Sequence, residues 1–163
     1  MKTSLNPFLT KYMPSQLGGK GLIWAAVKLL PESKVIPDFA ALEELKGRID
    51  AGDFFTIQQL QDQAREIKLI SGKWIITTLT AFVDDIWSKV AQAVMGGKLD
   101  GAAKVSQAAT GAGTHSICVY TVDYTNKQEI LRLQKALKQL GVVVKLHYEP
   151  DLYTILNIKE PDI

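Results

Sequence analysis

The chain has 163 residues, 47% of them apolar and 22% charged, with a formal net charge of +2. That length suits one domain with a sizeable core, and the charge is too small to signal nucleic-acid binding by itself. The cations are 16 Lys and only three Arg (Arg48, Arg65 and Arg132), so an anion site would rest on Lys and backbone N–H groups rather than on Arg forks. The single cysteine, Cys118, excludes an intrachain disulfide and a Cys-based zinc site and suits a reducing, cytoplasmic setting.

Residues 1–20 contain Pro7, Pro14 and Gly18-Gly19 and read as an irregular lead-in. Gly21–Leu30 is apolar around Trp24, a strand or a short helix; interrupted by Lys28, it is too short to cross a bilayer. Asp38 is a plausible cap for a helix over Phe39–Gly47, with Phe39, Leu42 and Leu45 on one side. Thr56 and Gln59 fit a capping box, followed by Ile57, Leu60, Ala64 and Ile67 at helical spacing. After the Ser71-Gly72 turn, Lys73–Thr78 is β-rich. Ala81–Met95 carries a helical stripe of Val83, Ile86, Trp87, Val90 and Val94, with Asp84 and Asp85 in its first turn and Gly96-Gly97 at its end.

Ala102–Gln107 is a short strand candidate, and Thr110–Gly113 a flexible connection. His115–Thr121 reads as the central strand, with a histidine where it begins and Tyr120, Asp123 and Tyr124 near its exit. Thr125 and Gln128 suggest a second capping box, opening a helix to Leu140 that Gly141 stops. Val142–Tyr148 reads as a strand, Glu149–Asp151 as a turn, and Leu152–Ile158 as a last strand or short helix. From residue 71 the order is strand, helix, strand, strand, helix, strand, which predicts a single α+β or α/β domain with helices on one face of the sheet.

Several strings, in their order and spacing, resemble the Bles03 family: SGKW (71–74), VDDIWSKV (83–90), GKL (97–99), AKVS (103–106), THSICVYTVDYT (114–125), ILRLQKALKQLGV (130–142) and EPDLYTILNI (149–158). The resemblance covers roughly residues 38–158 and is strongest over 71–158. It implies an α+β fold similar to the cap-binding translation initiation factor, a curved, mainly antiparallel, initiation-factor-4E-like sheet backed by helices. It also implies no settled function, although members of the family have been labelled phosphothreonine lyases. This sequence departs from the family in having Glu149 before its Pro-Asp run, where a Lys is usual, and in ending with Lys-Glu-Pro-Asp-Ile rather than an aromatic-rich tail.

Lys73, Lys104 and His115 fall at the family's polar positions. If their strands are neighbours, the three could converge at one sheet end around a phosphate, with Arg132 as an added fork donor. Local capping or snorkelling is the plainer role for each. Lys104 as base and His115 as acid would suit phosphate elimination. Trp24, Trp74 and Trp87 are the aromatic candidates for a cap-type sandwich, and Tyr120, Tyr124, His147 and Tyr148 for looser stacking on a nucleotide or RNA. Trp87 lies on an apolar stripe, and Trp74 alternates with Lys73, so one of that pair faces the core. His115 and His147 lack a third metal ligand at short spacing. Asp123 and Asp151 read as local turn residues. The leading expectation is a non-catalytic binding module for a nucleotide, RNA or other phosphorylated ligand, with no cofactor. A Lys104/His115 lyase and a protein-interaction domain are the alternatives.

Overall fold

A computed structural model describes residues 7–18, 24–28, 36–108 and 113–159. Its described strands are β1 (Trp24–Lys28), β2 (Gly72–Leu79), β3 (Ala102–Ser106), β4 (Thr114–Thr121) and β5 (Leu146–Pro150). They form one sheet in the order β1-β3-β4-β2-β5, every pairing antiparallel, with β4 at its centre. The helices are α1 (Pro7–Lys11), α2 (Phe39–Asp50), α3 (Ile57–Ile67), α4 (Thr80–Met95), α5 (Lys127–Gln139) and α6 (Asp151–Leu156). The result is an α+β domain. The expected loop at Thr110–Gly113 lies mostly outside the described residues.

Successive side chains of a strand point to opposite faces, and the apolar content follows that period. Ala25, Val27, Trp74, Ile76, Ala103, Val105, Ile117 and Val119 share one face and are all buried. Helix α4 lies against β1 to β4 and contributes Val83, Trp87, Val90, Ala91 and Val94 to this core. Helix α5 is tied to the same face through Trp74, whose indole N–H donates to the Ile130 carbonyl at 2.9 Å. At the β2 end the face is closed by Tyr148, whose hydroxyl meets that of Thr121 at 2.6 Å. Gly72 makes room for that ring: a Cβ there would stand 2.1 Å from the Tyr148 oxygen.

Several local expectations are met. Asp38 caps α2 by accepting from the Ala41 amide, although Phe39 remains exposed while Leu42 and Leu45 are buried. Thr56 and Gln59 form both halves of a capping box on α3.

Others are corrected. The described part of the lead-in read as irregular, residues 7–18, holds α1 and is docked: Leu9 and Leu17 are fully buried, and Ser15 donates to Asp84 on α4 through its amide and its hydroxyl, at 2.9 and 2.6 Å. Helix α5 is capped by Asn126, not Thr125, because the Thr125 amide and hydroxyl both donate to Asp123, at 2.8 and 2.7 Å. Strand β5 begins at Leu146 rather than Val142, since the Val142 amide still caps α5 by donating to the Leu137 carbonyl. There is no turn at Glu149–Asp151: β5 runs through Pro150, and α6 starts at Asp151, whose amide donates to the Ser71 carbonyl at 2.9 Å. A proline is tolerated there because β5 is an edge strand among the described residues.

Candidate functional site

The face of the sheet turned away from α4 is built by the other half of each strand. Register decides its occupants. Lys104 on β3 stands opposite Cys118 on β4, Lys73 on β2 opposite Tyr120, and Trp24 on β1 opposite Ser106. Trp24, Lys73, Lys104, Cys118 and Tyr120 line an open basin of about 460 Å³ across the sheet, closed at the β5 end by Asp151, Thr154 and Ile155 of α6.

The basin has two unlike ends. At the β1–β3 end the Lys104 ammonium sits 4.0 Å from the centroid of the Trp24 ring and 5.9 Å from that of Tyr120. Both distances lie within the range of a cation–π contact. Among the described residues Lys104 has these aromatic partners and no carboxylate one. Trp24 is 43% exposed, so its ring is open to a ligand.

At the β5 end Lys73 is buried and held. Its ammonium donates to Asp151 at 2.7 Å and to the Thr154 hydroxyl at 2.8 Å. The other Asp151 oxygen accepts from the Ser71 hydroxyl at 2.6 Å. Thr154 in turn donates to Glu149, whose second oxygen lies 3.6 Å from His147 Nε2. Asp151 is thus not a local turn residue but the counter-charge that clamps α6 onto β2.

His115 is elsewhere. It lies on the covered face, 2% exposed. Its Nδ1 is 2.9 Å from the Ser106 carbonyl, and its Nε2 is 2.9 Å from the Thr80 hydroxyl. A carbonyl only accepts, so Nδ1 carries the hydrogen, and the ring joins β3, β4 and the start of α4. The expected convergence of Lys73, Lys104 and His115 is therefore not found. The reason is parity: His115 and Tyr120 are five residues apart on one strand and must point to opposite faces. The same alternation separates His115 from His147. Arg132 also stands apart, in a smaller depression on the α5 side that Lys98, Asp100 and Glu129 help to line. Tyr124 and Tyr148 are core residues, as are Trp74 and Trp87.

Titration within the basin is set by desolvation. Burial pushes the Cys118 thiol up, and the nearby Lys104 and Lys73 oppose it only in part. Burial also pushes the Tyr120 phenol above its ordinary range, followed by the influence of Cys118 and Asp151. Thiol and phenol therefore stay protonated and neutral under ordinary conditions, leaving Lys104 as the charge that faces the aromatic end.

Residues 42–157 match the family described as basophilic leukemia-expressed protein Bles03. The chain belongs to the Bles03 family. Two solved structures are also similar. One is the complex of C. elegans eIF4E-3 with the 4E-binding protein Mextli and cap analog, at 20% identity and a TM-score of 0.44, covering 61% of this chain and 57% of that one. The other is the complex of C. elegans eIF4E-3 with Mextli, at 18% identity and 0.46, covering 63% and 62%. This chain thus spans less than two thirds of the length of either. In this Bles03-family chain Glu149 accepts from Thr154 beside the Lys73–Asp151 pair.

The aromatic end is set by register, since Ala26, two positions from Trp24, pairs with Lys104 across β1 and β3. Nothing local marked Asp151, because its partner Lys73 is 78 residues away. Chemically, the aromatic end offers one positive charge and two π-faces. It places no imidazole beside Lys104, so a Lys104/His115 acid–base pair acting on one substrate is excluded by the sheet between them. Among the described residues no cluster of three His, Cys, Asp or Glu is placed to hold a metal, and no helix is long and apolar enough to cross a membrane.

Proposed function

We propose that the open face of the sheet binds a nucleotide, free or as part of an RNA, by stacking its base on Trp24 or Tyr120 and its phosphate on Lys104. The observation that carries this reading is the Lys104 ammonium held against two aromatic rings, with no carboxylate partner among the described residues. A base stacked on an aromatic side chain contributes roughly 1–3 kcal/mol and tolerates sequence variation, because every base has a π-face. A lone Lys supplies a point charge rather than a bidentate fork, which fits a phosphate bound loosely and without geometric demand. Lys73 serves the site indirectly: its charge is matched by Asp151, and its role is to fix the α6 wall of the basin.

The test is a thermal-shift and fluorescence titration with mononucleotides, short RNA oligomers and phosphopeptides, since a ligand that prefers the folded state raises the melting temperature. Nucleotides or RNA are expected to stabilise the protein, and Trp24→Ala to weaken them about tenfold, at the low end of the stacking contribution. RNA bound more tightly than mononucleotide points to the polymer. A shift by phosphopeptide alone, or one unchanged in Trp24→Ala and Lys104→Glu, sinks the reading.

A further inference from the structure

The aromatic end of the basin is the kind of surface that recognises cations: a positive group within about 6 Å of a Trp or Tyr face is drawn to the ring quadrupole. Here that position is already filled from within. The Lys104 ammonium lies over the Trp24 ring at 4.0 Å and within reach of the Tyr120 ring at 5.9 Å, and its backbone is fixed by strand pairing with Ala26 on one side and Cys118 on the other. We infer that Lys104 is a built-in occupant of the cation position on Trp24 and Tyr120, so that the basin turns away ligands with a cationic ring or quaternary ammonium and accepts neutral bases bearing an anionic phosphate. The inference rests on the nucleotide reading for its ligand class, but the occupancy itself is independent of it.

The charges around the basin support this. A second cation entering the aromatic end would meet Lys104 at close range, and among the described residues no acidic group stands ready to offset it. Asp151 is engaged by Lys73 and Ser71, and Glu149 accepts from Thr154 beside His147. Any ligand that stacks there displaces Lys104 from the rings, but only one bearing an anionic phosphate gives the displaced ammonium a new partner, whereas a bare cation leaves two like charges side by side. Like-charge exclusion of this sort confers specificity without any added contact to the preferred ligand.

The experiment compares guanosine monophosphate with its N7-methylated form, which differ by one methyl group and one positive charge on the base. Tetramethylammonium serves as a probe that needs no nucleotide site, read by the NMR shift of the Trp24 indole N–H. Wild type is expected to bind the methylated nucleotide about fivefold more weakly, the size of one exposed cation–π contact. Lys104→Met keeps the stem, removes the charge, and is expected to reverse that order and to bind tetramethylammonium. Lys104→Arg keeps a cation over the rings and should retain the wild-type order. Lys104→Gln replaces the Met variant should that one unfold. Wild type that prefers the methylated nucleotide, or a neutral variant with an unchanged ratio, overturns the inference while leaving nucleotide binding intact. If wild type binds neither nucleotide, the nucleotide reading falls and tetramethylammonium decides: binding to the neutral variant alone upholds the occupancy, and equal behaviour of the two overturns it.

Discussion

The covered and open faces of the sheet carry similar polar residues in different states. On the covered face His115 has a partner on each ring nitrogen, and the Thr121 hydroxyl meets that of Tyr148, so each group serves to join elements. On the open face the two lysines divide. Lys73 is matched by a carboxylate and buried, whereas Lys104 rests on aromatic rings beside an accessible Trp24. The difference teaches that a polar residue on this sheet is a candidate for binding only when its charge is left unmatched and within reach of solvent. Residue type alone does not separate the two lysines; the groups that surround them do.

The comparison breaks most sharply at Lys73. Its ion pair with Asp151 is largely withdrawn from water, with side chains 9% and 17% exposed. Removing one partner strands the other charge, so Lys73→Met is expected to lower stability by roughly 3–5 kcal/mol in urea denaturation. Pairing it with Asp151→Leu should recover most of that loss, because two apolar groups leave no charge unmatched. If Lys73 instead held a ligand, the single change would lower affinity with little effect on the urea midpoint.

His115 gives the next effect. His115→Ala leaves the Ser106 carbonyl and the Thr80 hydroxyl without their ring partner, a loss of about 1–3 kcal/mol from unsatisfied polar groups. Nucleotide affinity measured well below the melting temperature should be unchanged. Lost binding at full stability would return His115 to the site and contradict its placement on the covered face.

Much of this fold was legible in local chemistry. The order of strands and helices after residue 71 follows from apolar periodicity, and the α3 capping box from two residues at a spacing of three. What local reading could not supply was competition between neighbours. Thr125 looks like a cap until Asp123 takes its amide and hydroxyl, which leaves the role to Asn126. The candidate site was partly legible. Tyr120 and Lys104 share a face, as the register makes clear, and the parity of 115 and 120 was already enough to send His115 to the other one. The fate of Lys73 was not legible, because only the folded chain brings Asp151 to it across 78 residues.

The smallest effect lies between the two lysines, at Cys118. Burial raises its thiol pKa in the folded state, so the folded chain holds its proton at a pH where the unfolded chain has released it. Between those two values the unfolded state binds fewer protons, and stability must fall as pH rises. The contribution is fully present below the ordinary thiol value of 9.0 and is lost above it. Tyr120 and Tyr148, raised in the same direction mainly by burial, extend the decline from their ordinary value of 10.0 upward. Urea midpoints between pH 7 and 11 should therefore slope downward from about pH 9, a little less steeply in Cys118→Ala, which has no thiol to ionise. Equal slopes in the two proteins would mean that the thiol is already solvated in the folded state. The basin would then be wetter beneath Lys104 than the burial of Cys118 implies, and the ammonium would be drawn to water as much as to the rings of Trp24 and Tyr120.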